Sequence, residues 1–123
     1  MSKRVMTVDD SATVRQVLRM ALEGADYEVY EAEDGEDALQ KLSGLDIDFL
    51  ITDLNMPKMD GIALIRELRQ TPGKRFMPII MLTSESQPEK KREGKEAGAS
   101  GWIVKPFKPA QLLAVVRMIC PAS

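Results

Sequence analysis

The run FLITD at residues 49–53 constrains the fold more than any other stretch, because apolar and β-branched side chains follow one another without polar alternation until a carboxylate ends the run. A strand with one wet face alternates. A nearly continuous apolar strand must be covered on both faces, as in a parallel sheet between two layers of helices. After Asp53 come Pro57 and the pair Asp60-Gly61, which mark a turn before the next helical pattern. The run therefore holds a carboxylate at the end of a buried strand. Taken alone, such an acid serves equally well as a turn cap or as a reactive group.

Four more short strands are expected, at residues 3–8, 27–32, 77–82 and 101–105, with the third extending over 48–53. Glu28 and Glu31 place the second near an edge. Helical spacing of apolar residues fills the gaps. Residues 12–23 carry Val14, Val17, Leu18, Ala21 and Leu22 on one face behind the N-cap candidate Ser11. Asp34 and Gly35 open a second helix with Glu36 and Asp37 in its first turn, where the helix dipole favours acids. Asp60 caps a third helix, and Pro109 starts a last one with Leu112, Leu113, Val116 and Ile119. Residues 88–97 read as a helix by position, but charged residues surround a central Gly94 and almost nothing there is suited to burial.

Five strands alternating with five helices imply a doubly wound α/β fold, three layers deep, with right-handed crossovers. The 123 residues suit a single domain spanning 1–123. In open sheets of this class the binding crevice lies beyond the carboxyl ends of the strands. Asp9 and Asp10 end the first strand, Asp53 the third, Thr83 the fourth and Lys105 the fifth, so all five are expected on one rim.

Several functions are disfavoured. A net charge of −2 argues against a dedicated nucleic-acid binder. The chain has no histidine, which removes histidine-based catalysis and His-ligated zinc. No apolar run reaches a membrane span or resembles a signal peptide, and the lone Cys120 fits a reducing cytoplasm. The positive reading is a phosphoryl site. Three carboxylates gathered together repel one another, which a raised pKa, a cation or both relieves, and an all-oxygen set suits Mg²⁺. Lys105 supplies a compact charge for phosphoryl oxygens, Thr83 a hydroxyl donor, and Asp53 a nucleophile able to form an acyl phosphate. Each residue also has a structural reading: the paired acids as a cap, Thr83-Ser84 as turn chemistry, Lys105 as a solvated lysine.

The motifs VDDS (8–11), DLNMPKMDG (53–61), LTSE (82–85) and GWIVKPF (101–107) resemble, in order and spacing, the receiver domain of two-component response regulators, in particular single-domain CheY-like chemotaxis proteins. The resemblance implies the flavodoxin-like strand order 2-1-3-4-5 and a monomer that is a signalling switch, not an enzyme with a small-molecule substrate. It implies phosphorylation of Asp53 by a sensor histidine kinase. Mg²⁺ would be held by Asp10, Asp53 and the backbone carbonyl of Asn55, with Asp9 acting mainly through water. It further implies a switch involving Thr83 and Trp102, a cis peptide at Lys105-Pro106, and tuning of dephosphorylation by Asn55 and Glu85. Trp102 stands where tyrosine is common, and an indole can only donate a hydrogen bond. The charged helix at 88–97 would belong to the partner surface, with a flagellar switch protein and a phosphatase as candidate partners. No DNA-binding output domain is expected after the last helix. The competing readings are a phosphate sink or transfer intermediate, an aspartate-nucleophile phosphohydrolase and a flavin-binding protein. Asn55 in place of a second acid opposes the hydrolase, and the acidic rim opposes a flavin phosphate.

Overall fold

Strand-length apolar runs separated by capped helices leave few ways to bury both faces of each run, and the chain takes the doubly wound one. The computed structural model describes residues 2–84 and 88–122. In chain order the elements are β1 (Arg4–Val8), α1 (Ala12–Glu23), β2 (Glu28–Ala32), α2 (Gly35–Leu42), β3 (Phe49–Asp53), α3 (Gly61–Arg69), β4 (Ile79–Ser84), α4 (Pro88–Ala97), β5 (Gly101–Lys105) and α5 (Pro109–Ile119). The strands form one parallel sheet in the order β2-β1-β3-β4-β5. β2 is an edge strand, as its glutamates suggest.

Alternation along the strands sorts the core into two halves. Val5, Phe49, Ile51, Ile80, Leu82 and Ile103 pack against Leu18 and Leu22 of α1 and Leu112 and Val116 of α5. Met6, Val8, Leu50, Ile79 and Met81 face the other way, toward Ala38 and Leu42 of α2 and Leu64, Ile65 and Leu68 of α3. Each fully buried Leu, Ile or Phe in these halves contributes roughly 1.5–3 kcal/mol. Tyr27 closes the first half: its ring meets Phe49 edge-on at 5.5 Å, and its hydroxyl donates to the Cys120 carbonyl at 2.8 Å. The helix starts are local chemistry. Ser11, Asp34 and Asp60 each accept from the backbone N–H three residues on, as N-caps do.

Three expectations need correction. The fourth strand begins at Ile79 and runs through Ser84, so Thr83 and Ser84 belong to the ladder and not to the turn after it. Val17 is 42% exposed, because the inward stripe of α1 follows Leu18 and Leu22 instead. Gly94 is buried. A Cβ there would collide with the Met81 sulfur, so α4 lies against β4 through a residue with no side chain.

Candidate phosphoryl site at the strand ends

The parallel sheet brings the carboxyl ends of β1, β3, β4 and β5 to one rim, and the side chains there are polar although buried. Asp9 is 1% exposed, Asp53 7% and Thr83 2%, whereas Asp10 is open to solvent. One carboxylate oxygen from each of Asp9, Asp10 and Asp53 falls within a cluster no wider than 4.8 Å. Lys105, at the end of β5, bridges two of them: its Nζ is 3.0 Å from Asp9 Oδ2 and 3.2 Å from Asp53 Oδ1. The other Asp9 oxygen accepts from the Ser11 N–H at 2.9 Å.

Electrostatics follow from this crowding. Burial, then the neighbouring Asp9 charge, pushes the Asp53 carboxyl above the ordinary range, and Lys105 offsets this only in part. Burial alone would lower the Lys105 ammonium. Its hydrogen bond to Asp9 and the charges of Asp53 and Asp9 outweigh that, and the ammonium titrates above a free lysine. The rim is thus a concentrated negative site in which Lys105 is the cation bridging two of the carboxylates. An all-oxygen donor set of this kind fits a hard divalent ion.

Thr83 carries a second unmet demand. Its hydroxyl is buried and has no hydrogen-bond partner among the described residues, an arrangement that costs about 1–3 kcal/mol unless a ligand or water meets it. The register pairs Met81 with Trp102 and Thr83 with Val104, so Thr83 and Trp102 share one face of the sheet and are diagonal neighbours. Trp102 is half-buried beneath α4, with Lys91 Nζ 4.3 Å and Lys95 Nζ 5.6 Å from its ring centroid.

The loop from β3 to α3 is folded tightly against the site. Gly61 N–H donates to the Leu54 carbonyl at 3.1 Å, and Lys58 takes a left-handed conformation (φ 65°). Asn55 is exposed in this loop. The Lys105-Pro106 peptide is cis. Glu85, the other candidate tuning residue, lies outside the described residues. Sequence reasoning missed Arg15, whose guanidinium donates to the Asp9 carbonyl at 2.6 Å. The available signal was a basic residue one turn into the helix that follows the paired acids.

These strand-end acids and the cis-proline turn occur in a recognised setting: residues 5–117 match the model of the response regulator receiver domain. The chain belongs to that receiver family. The receiver is 44% identical to the chemotaxis response regulator CheY4 of Vibrio cholerae, over 97% of this chain and 99% of that one, with a TM-score of 0.92. It is 39% identical to the transcriptional regulatory protein ResD of Bacillus subtilis (strain 168), over 94% of this chain but only 47% of ResD. The chain thus spans about half the length of that curated relative. A third likeness is to the receiver domain of the sensor histidine kinase PA1611 from Pseudomonas aeruginosa PAO1, at 26% identity over 97% of this chain and 98% of that one, with a TM-score of 0.88. That structure is described with magnesium coordinated in its active-site cleft.

The charge crowding has a testable consequence for stability. Because the folded protein holds the Asp53 proton to higher pH than the unfolded chain does, ionised Asp53 opposes folding. The penalty is absent below the unfolded carboxylate pKa, grows as pH rises through the interval up to the folded value, and is complete above it. Asp53→Asn is therefore expected to raise Tm at pH 7 by about 4 °C, equivalent to about 1 kcal/mol in a domain of this size. The gain over wild type should vanish on acidification below the ordinary aspartate pKa of about 3.9. Paired thermal melts across pH check both parts, and a gain that grows toward acid pH would contradict the argument.

Proposed function

We propose that this receiver is a phosphorylation-dependent switch in which Asp53 accepts a phosphoryl group from the phosphohistidine of a sensor histidine kinase. The observation that carries the reading is the bridging of buried Asp9 and Asp53 by Lys105 beside a third carboxylate. In the transfer, an Asp53 oxygen forms a bond to phosphorus as the phosphorus–nitrogen bond to the donor imidazole breaks. The imidazole leaves with the bonding pair, and the product is an acyl phosphate. No general base is needed, since the nucleophile is already a carboxylate once Asp53 is ionised. Asp10, Asp53 and the backbone carbonyl of Asn55 would hold Mg²⁺, with Asp9 acting through water. When bound, the ion neutralises charge on the phosphoryl oxygens. Lys105 positions those oxygens, and the Thr83 hydroxyl, unpartnered among the described residues, is available to donate to them.

The output reading is chemotaxis control in the cytoplasm. Phosphorylation would bias the surface of α4, β5 and α5 toward binding a flagellar switch protein, with Trp102 moving beside Thr83. Asn55 and Glu85 would tune dephosphorylation, with or without a phosphatase. Likeness to CheY4 over nearly the full length of both chains supports this reading. The alternative is a phosphate sink or transfer intermediate with no output target of its own.

Incubation with Mg²⁺ and acetyl phosphate is expected to add the mass of one phosphoryl group and to change Trp102 emission. Chelation or Asp53→Asn should abolish the mass change, and phosphorylation persisting unchanged in Asp53→Asn would overturn the site. Protein loaded with beryllofluoride should capture the flagellar switch protein. Capture lost with transfer intact would favour the sink.

A further inference from the structure

We propose that Arg15 is a positioning residue that sets the direction of the metal-binding acids by gripping the peptide between Asp9 and Asp10. This rests on the reading of the acidic rim as a Mg²⁺ site and adds a residue that touches neither ion nor phosphoryl group. The oxygen that Arg15 Nη1 contacts at 2.6 Å is the Asp9 carbonyl, which is the acceptor of the 9–10 peptide. A peptide is planar, so holding its oxygen, together with the other anchors on Asp9, restrains the plane that carries Asp9 at one end and Asp10 at the other. The remaining polar atoms of Asp9 are also held. Its N–H donates to the Ala32 carbonyl at 3.1 Å, Oδ1 accepts from Ser11 N–H, and Oδ2 accepts from Lys105. Asp10 is exposed, so its aim depends on the backbone it hangs from.

Arg15 can act as a strut because it is anchored at a second point. Its Nε meets Glu31 Oε1 at 2.9 Å, with the arginine side chain 17% exposed. Glu31 lies on edge strand β2 and offers its other oxygen to Arg19 Nε at 2.6 Å. Burial works against ionised Glu31, but the bonds from Arg19 and Arg15 outweigh it and hold its carboxyl below the ordinary glutamate range. Arg19 supplies an internal control. It shares Glu31 and also donates to the Val29 carbonyl at 3.2 Å, yet among the described residues its partners do not include Asp9.

Charge and geometry predict opposite signs. Removing a cation from beside an acidic cluster favours Mg²⁺ binding on electrostatic grounds, whereas releasing the peptide disfavours it. If positioning dominates, calorimetric titration with Mg²⁺ will show about tenfold weaker binding for both Arg15→Gln and Arg15→Lys, the second of which keeps the charge and loses the two-point fork. Arg19→Gln should bind Mg²⁺ within about twofold of wild type while losing a comparable amount of Tm. Tighter binding by Arg15→Gln with an unchanged Arg15→Lys would reduce Arg15 to a charge effect and overturn the proposal. So would losses in Arg15 and Arg19 variants that simply track Tm, or wild-type affinity in both Arg15 variants. Asp10→Asn reports on the underlying site. If it binds Mg²⁺ as wild type does, the rim is not the metal site and the proposal falls with that reading. If it loses binding while the Arg15 variants do not, only the proposal falls.

Discussion

Gly61→Ala is expected to destabilise the protein by about 3 kcal/mol and to lower Tm by roughly 12 °C, although the change adds one methyl group. A Cβ at this position would run into the Asp53 carbonyl oxygen and stand 3.0 Å from the Leu54 Cα. Both neighbours are backbone, one at the end of a buried strand, and neither can swing aside as a flexible side chain can. Relief requires drawing the first turn of α3 away from β3, which stretches the Gly61–Leu54 hydrogen bond and shifts Asp53 itself. The rate of Asp53 phosphorylation should therefore fall by tenfold or more, since small misplacements of a reacting group are expensive. Gly44→Ala is the control. It lies in the α2–β3 connection, a Cβ there meets nothing within 4 Å, and its melting point should hold or rise slightly. Equal behaviour of the two variants in thermal melts would refute the steric account.

Lys105→Met is expected to cost about 2 kcal/mol at pH 7, a drop of roughly 8 °C in Tm, and to make stability more dependent on pH. Removing the ammonium leaves Asp9, 1% exposed, and Asp53, 7% exposed, as neighbouring acids without their shared cation. The size stays below that for a fully buried pair because the lysine side chain is itself 28% exposed. The sign is fixed by Asp53. Lys105 contributes two of the interactions that restrain its upward shift, so without them the carboxyl moves further up. Protonation then favours the folded form over a wider interval, and the deficit against wild type is largest at neutral pH and shrinks on acidification. A deficit that is flat from pH 7 to pH 4 would show that lost packing, and not charge, is responsible.

Much of the topology was legible because polar or turn-forming residues follow the apolar runs, and Ser11, Asp34 and Asp60 stand as capping side chains before three of the helices. Val8, Asp53 and Lys105 close their strands where apolar content stops. Where the fourth strand ended was harder to read. Thr83 and Ser84 have turn-forming composition, but ladder pairing to Val104 and Lys105 outweighs that local preference. The convergence of Asp9, Asp53 and Lys105 was readable once the sheet was assumed, because parallel strands put all carboxyl ends on one side. Two features could not be read in this way. Gly94 looked like a weak point in a solvated helix, and only the approach of Met81 shows that the helix needs a bare backbone there. Arg15 drew no reading from the sequence, since its two partners come from separate segments, one at the end of β1 and the other on β2.

The sharing of the α1 face with α5 also ranks the stages of synthesis. The face formed by Met6, Val8, Leu50, Ile79 and Met81 is covered largely by α2 and α3, which leave the ribosome before β4 and β5. Val5, Phe49, Ile51, Ile80 and Leu82 wait for Leu112 and Val116 on α5 and for Cys120 just after it. The hydrogen bond from Tyr27 to Cys120 spans 93 positions and cannot form until then. One side of the sheet is therefore largely covered while much of the other stays open, and that apolar surface waits for the synthesis of α5.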